Sequence, residues 1–182
     1  MTFRLVNFTN SDDGDARAGI KVGEDVIEVG NNIKNTEYDP SSTVSLVQNW
    51  GDALPQLKSL AESGQATYPL SQVKLVAPLL YPSNIFCAGA NYSDHYKEMS
   101  GRDPDKSTIK PYFFNKVVRQ TVIGPNENIL YPKFSKKLDW EAEICVIIGK
   151  PGRHIKRGNA LEHVAGFTII NDLSARDFLF RE

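Results

Sequence analysis

Three groups of residues in this chain could do chemistry. The run Leu138-Asp-Trp-Glu-Ala-Glu-Ile-Cys-Val-Ile-Ile-Gly149 opens an apolar strand with carboxylates at Glu141 and Glu143. Strand alternation puts positions i and i+2 on one face, shared here with Cys145 and Ile147, so both carboxylates point where the strand heads for burial. Two like charges converging there repel and lose hydration unless a cation joins them, and a hard divalent metal, which prefers oxygen ligands, resolves the conflict. A bare Glu-x-Glu is more often a solvated strand start. The second run, Gly166-Phe-Thr-Ile-Ile-Asn-Asp172-Leu-Ser-Ala-Arg176-Asp177, ends an uncharged β-stretch in Asn171-Asp172. A third carboxylate at that strand end completes a metal-binding set with positions left for water and substrate. The same Asn-Asp pair is also a common turn or helix N-cap. The third run is Gly89-Ala-Asn-Tyr-Ser-Asp-His95-Tyr-Lys-Glu98-Met99. On a helix, His95 and Glu98 at i and i+3 share a face, and a histidine oriented by a glutamate can take a proton from water. An exposed helix with both side chains in solvent is the equal alternative.

The elements that must position these groups fall into two parts. Residues 3–7 and 18–29, the latter around Gly23-Glu24-Asp25, alternate like short strands joined by hairpins. Residues 42–63 carry helical spacing in two pieces, with a break expected at Pro55. Residues 66–82 hold Pro69, Pro78 and Pro82 around Val73, Leu75 and Val76, which reads as a linker with a short strand and sets a boundary near residue 70. Beyond it, Asn84-Ile-Phe-Cys-Ala reads as a strand ending at Gly89, and 92–99 as a short helix. Tyr112-Phe-Phe, Val117-Val118, Thr121-Val-Ile, 140–148 and 165–170 are short and β-rich. The expected fold class is α+β: a small N-terminal β-rich domain at 1–70, then a mostly β second part at 71–182.

Composition narrows the partner. Hydrophobic residues make up 41% and charged residues 24% of 182 residues, as in ordinary globular proteins. A net charge of −1, from 21 basic and 22 acidic residues, provides no field for a nucleic-acid backbone or an anionic membrane. A small-molecule partner is expected instead. No apolar run approaches the ~20 residues that cross a bilayer, and the first residues lack the order of a signal peptide, so a cytoplasmic location is expected. Cys87 and Cys145 sit in apolar stretches without CxxC spacing, which argues against a zinc site or a disulfide framework and for packing roles.

Gly89-Ala-Asn-Tyr-Ser-Asp-His95-x-x-Glu98, Phe114-Asn-Lys116, Leu138-Asp-Trp-Glu-Ala-Glu143 and Ala165-Gly-Phe-Thr-Ile-Ile-Asn-Asp-Leu-Ser-Ala-Arg176-Asp177 together resemble the fumarylacetoacetate hydrolase family. The likeness is strong from Leu75 onward, and residues 1–70 resemble the variable N-terminal unit of many members. It implies a mixed β-roll, usually dimeric, with Mg²⁺ or Mn²⁺ on Glu141, Glu143 and Asp172 and an acid/base pair in His95 and Glu98. It also implies substrate contacts from Arg176, Tyr92 and Lys116. The implied reaction is C–C bond hydrolysis in a 2,4-dioxo acid of the acylpyruvate or fumarylpyruvate type, through a metal-stabilised enolate, as in aromatic catabolism. Oxaloacetate decarboxylation, muconate-type isomerisation or hydration and sugar-acid dehydration use the same chemistry, and a non-catalytic binding module is the reading from a different class. Two departures stand out. Leu179 lies where the family often has Gln, and the sequence stops at Glu182, where family members continue with further strands, a site lysine and a Thr-Gly-Thr-Pro-like segment. An incomplete roll with exposed strand edges and apolar surface is therefore expected.

Overall fold

The computed structural model describes residues 3–10, 14–34, 36–105 and 107–179. They form two compact units, one of residues 1–79 with 124–182 and one of residues 80–123. All strand pairs are antiparallel.

In the larger unit, β1 (Arg4–Asn10), β2 (Arg17–Val22), β3 (Asp25–Glu28), β4 (Tyr68–Pro69) and β5 (Val73–Val76) make a five-stranded sheet in the order β4-β3-β2-β1-β5. The β2–β3 hairpin closes through Gly23 and Glu24, with Gly23 at φ +57°, a conformation that suits glycine in a tight turn. The sheet runs on to Val76, because β5 pairs with β1 from Asn7↔Val76 to Asn10↔Val73. Helices α1 (Thr43–Gln48) and α2 (Trp50–Ser63) cover one face. Ser42 caps α1, its side chain accepting the Ser45 N–H at 3.3 Å. Ala18, Ile20, Ile27, Val29, Leu46, Ala53, Leu57 and Ala61 are the fully enclosed core between sheet and helices. The break between the helical pieces falls at Asn49 and not at Pro55, which lies inside α2. Burial of Ala53, Leu57 and Ala61 along one stripe outweighs the lost backbone bond at Pro55, and Gly51, whose carbonyl loses that partner, is exposed.

The same unit contains β8 (Leu138–Asp139), β9 (Ala142–Ile148), β10 (Val164–Asn171) and β11 (Ser174–Ala175), ending in the helical turn α5 (Arg176–Leu179). β9 pairs with β10, and β8 with β11. At the far end of β9, a Cβ added to Gly149 would lie 2.7 Å from the Ala165 Cβ and 3.0 Å from the Trp50 Cβ, so the ladder closes tightly against the start of α2. One face of β9–β10 is exposed and apolar: Ile144, Val146, Ile148, Phe167 and Ile169.

The smaller unit pairs β6 (Ile85–Gly89) with β7 (Tyr112–Lys116) and carries α3 (Ser93–Ser100) and α4 (Val118–Thr121). The β-branched stretches Val117-Val118 and Thr121-Val-Ile are not strands: Val118 to Thr121 form a helical turn, and Val122 follows it as an extended cap. With no partner strand beside it among the described residues, the Thr121 hydroxyl bonds back to the Val117 carbonyl and the turn closes on itself. No helix among the described residues is long and apolar enough to cross a membrane.

Candidate metal centre

Glu141 and Asp172 sit where two ladders interrupt each other. On one strand Trp140 and Glu141 separate β8 from β9; on the other Asp172 and Leu173 separate β10 from β11. The backbone is re-bonded across this gap. The Asp172 N–H donates to the Glu141 carbonyl at 2.8 Å, and the Glu141 N–H donates to Asn171 Oδ1 at 3.0 Å. Glu143, one strand repeat further on, pairs with Ile170 and lies on the half-buried face of β9 with Cys145 and Ile147, as the alternation requires.

The result is a cluster in which one ligand oxygen from each of Glu141, Glu143 and Asp172 lies within 4.8 Å of the others. Asp172 is buried and the two glutamates half-buried. Three carboxylates in so small a space form an all-oxygen donor set that suits Mg²⁺, Mn²⁺ or Ca²⁺ better than a thiolate-seeking metal. Exposed acidic groups often gather without a metal, but one of these is buried. Glu143 also reaches Cys145: burial pushes the Cys145 thiol up from its ordinary range, and the charge of Glu143 adds to that.

Arg176 brings a cation to this cluster. Its Nη2 lies 2.5 Å from Glu141 Oε1, and its Nε donates to Asp139 Oδ2 at 3.0 Å, while its backbone N–H donates to the Lys137 carbonyl at 2.9 Å. The guanidinium is thus held between two carboxylates. Beyond it, Asp177 accepts from the Lys136 N–H and the Ser135 hydroxyl, both at 2.8 Å, and these two bonds hold its carboxyl below the usual range. The sequence suggested no role for Asp139, and for Asn171 only that of a turn or N-cap residue. The contacts that define them cross between strands and leave no local signal beyond their proximity to the glutamates and to Asp172.

The remaining expected residues lie in the smaller unit. His95 and Glu98 share α3, with His95 half-buried and Glu98 exposed, and among the described residues no hydrogen bond or ion pair joins them. Tyr92 is the N-cap of α3 and 45% exposed. Lys116 ends β7 and lines an open hollow with Tyr81, Asn84 and Arg119, where the Arg119 guanidinium lies 5.0 Å from the Tyr81 ring centroid. Tyr81 itself has φ +57°, unusual for an aromatic residue.

Comparison with known proteins adds a second line of observation. The model of the fumarylacetoacetate (FAA) hydrolase C-terminal family matches residues 84–182. Oxaloacetate tautomerase fahd2, mitochondrial, of Xenopus laevis is 35% identical over 185 residues, an alignment covering 100% of this chain and 55% of that protein. Oxaloacetate tautomerase FAHD2B, mitochondrial, of Homo sapiens is 37% identical over 161 residues, covering 85% of this chain and 50% of that one. Among solved structures, a fumarylacetoacetate hydrolase from psychrophilic Exiguobacterium antarcticum matches with a TM-score of 0.68 at 29% identity, covering 97% of this chain and 57% of that chain. The chain spans about half the length of the curated relatives it matches.

Proposed function

The chain belongs to the fumarylacetoacetate hydrolase family, and from that premise we propose that it carries the divalent-metal site of an enzyme that moves protons on a 2-oxo acid through its enolate. Oxaloacetate is the favoured substrate and keto–enol tautomerisation the favoured reaction, since the relatives that cover most of this chain are tautomerases of that acid by name. The observation that carries the metal reading is the set of Glu141, Glu143 and Asp172 with ligand oxygens within 4.8 Å. C–C hydrolysis of a 2,4-dioxo acid is the second reading, favoured by the hydrolase description of the family and of the Exiguobacterium structure. Both reactions share the enolate and differ in whether water attacks an acyl carbon.

In this proposal Glu141, Glu143 and Asp172 hold Mg²⁺ or Mn²⁺. Bound there, the cation would draw charge from the carboxylate and keto oxygens of the substrate and lower the cost of forming its enolate. The protein's own groups do the rest. His95, one helical turn from Glu98 and paired with it as acid and base, takes a proton from the carbon beside the keto group and a proton is delivered to the enol oxygen, or the reverse, in the tautomerase reading, or it takes one from water in the hydrolase reading. Arg176, Tyr92 and Lys116 contact the substrate's polar ends. For Arg176 this requires sharing its guanidinium with Asp139 and Glu141, which leaves part of its donor fork for a carboxylate. The domain division at residue 70 and a homodimer belong to the same proposal, the latter checked by light scattering. The compartment does as well: the cytoplasm from the sequence, or the mitochondrion named in both tautomerase relatives.

The test is turnover of oxaloacetate enol and of an acylpyruvate with Mn²⁺ or Mg²⁺, comparing wild type with Glu141→Ala and His95→Ala. Enol–keto conversion lost in both variants, without acylpyruvate cleavage, supports the tautomerase. Cleavage lost in both supports the hydrolase. Metal-independent activity unchanged in Glu141→Ala overturns the reading.

A further inference from the structure

The geometry points to Asn171 as a positioning residue that fixes Glu141 against Asp172, a role resting on the reading of Glu141, Glu143 and Asp172 as metal ligands. Glu141 lies in the gap between two ladders, where its backbone has no regular strand partner. Both peptide groups flanking its Cα are nonetheless pinned, and both by the same short stretch of chain. The N–H on one side is taken by Asn171 Oδ1 at 3.0 Å, and the carbonyl on the other accepts the Asp172 N–H at 2.8 Å. Bonds on both sides of one Cα restrain its φ and ψ together, and hence the direction of its side chain. The residue that supplies the first bond is the neighbour of a second ligand, so any movement of Asp172 carries Glu141 with it.

An Asn-Asp pair at a strand end usually folds back on its own chain as a turn or a cap. Here the Asn171 side chain reaches across to a residue thirty positions earlier. An amide oxygen suits this place because it accepts without charge. A carboxylate would add a further negative charge beside the cluster, and an apolar side chain would leave the Glu141 N–H unmatched. Asn171 is exposed, so its own packing contributes little and its contact with Glu141 is its main structural work.

The experiment is Mn²⁺ binding, followed by calorimetry and by loss of the free-ion paramagnetic resonance signal, on wild type, Asn171→Leu, Asn171→Asp, Glu141→Gln and the Asn171→Leu/Glu141→Gln double variant. Partners that orient metal ligands cost ~10–100-fold in affinity when removed, and an exposed, single-bond case belongs at the ~10-fold end. Asn171→Leu is expected to weaken Mn²⁺ by about tenfold, and Asn171→Asp, which keeps the acceptor oxygen, to stay within a few-fold of wild type. In the Glu141→Gln background the leucine is expected to cost nothing further, because there is no carboxylate left to aim. A merely structural asparagine would cost the same in both backgrounds, and that result overturns the assignment, as does equal binding by wild type and Asn171→Leu. If wild type takes up no Mn²⁺, the metal reading falls and the positioning role with it. Should Asn171→Leu lose its circular dichroism signature, Asn171→Ala carries the same comparison.

Discussion

Asp172→Asn should make this protein more stable and less able to bind metal at the same time. The Asp172 carboxylate is 5% exposed, and its ligand oxygen lies within 4.8 Å of those of Glu141 and Glu143. At an effective dielectric of ~20, two unit charges at that separation repel by about 3.5 kcal/mol. The variant removes two such pairs. Water at the half-buried glutamates and the guanidinium on Glu141 screen much of this, leaving a relief of about 1–3 kcal/mol. For a chain of this size each kcal/mol moves Tm by ~2–4 °C, so in chelator the variant is expected to melt about 2–12 °C above wild type. With Mn²⁺ at ~100 times its Kd, wild type should gain about 2.7 kcal/mol by mass action. The variant, short of one ligand, should gain far less. Differential scanning calorimetry with EDTA and with Mn²⁺ reads both effects. An Asp172→Asn protein that melts below wild type in EDTA, or that rises with Mn²⁺ as wild type does, refutes the reasoning.

Asp177 has its carboxyl held below the usual range by the Lys136 N–H and the Ser135 hydroxyl, so it contributes stability above the ordinary carboxylate range and loses it as pH falls through the lowered folded value. Asp177→Asn is therefore expected to destabilise at pH 7 and to match wild type in strong acid; urea midpoints across pH would show it, and a gap that persists in acid would count against it. Burial, with Glu143 behind it, raises the Cys145 thiol, so in a Cys87→Ser background iodoacetamide at pH 8 should alkylate the folded protein more slowly than the urea-unfolded chain. Equal rates would show that the thiolate is not suppressed. Leu57 is completely enclosed between α2 and the sheet, and Leu57→Ala should lower unfolding free energy by about 2–5 kcal/mol. A loss under about 1 kcal/mol would mean that the core collapses around the gap.

The parts of this molecule written in local patterns were legible before the structure, and those written in cross-strand register were not. Glu141 and Glu143 converge as their i, i+2 spacing led one to expect, Glu143 on the half-buried face of β9 and Glu141 in the gap just before it. His95 and Glu98 likewise share α3 because their spacing is helical, although spacing gave no access to whether they bond to each other. Pro55 was expected to mark the helical break and does not. The burial stripe Ala53, Leu57, Ala61 is a tertiary fact that overrides a local breaker. Val73 to Val76 read as a strand, yet its partner, β1, is more than sixty residues earlier and no local pattern names it. Thr121-Val-Ile had the composition of a strand and lacks the neighbour that would make it one.

Asn171 belongs to the same illegible class as the β5 pairing, and the reason bears on how the site is built. A cluster of like charges is costly, so its ligands must be held by something stiffer than a loop if they are not to drift apart. Here that stiffness comes from two ladders that stop at the same level, leaving Glu141 and Asp172 in the gap with regular pairing on both sides. The gap lets the carboxylates face one another, which unbroken pairing would not, but it also removes a backbone partner from Glu141. Asn171 restores that partner, and Arg176, anchored on Asp139, offsets part of the charge. Each of these residues mends a cost that the three carboxylates create. If the carboxylates were only a surface accident, Asn171, Asp139 and Arg176 would have no common consequence. If they are metal ligands, replacing any of the three should shift metal affinity more than it shifts stability in the absence of metal.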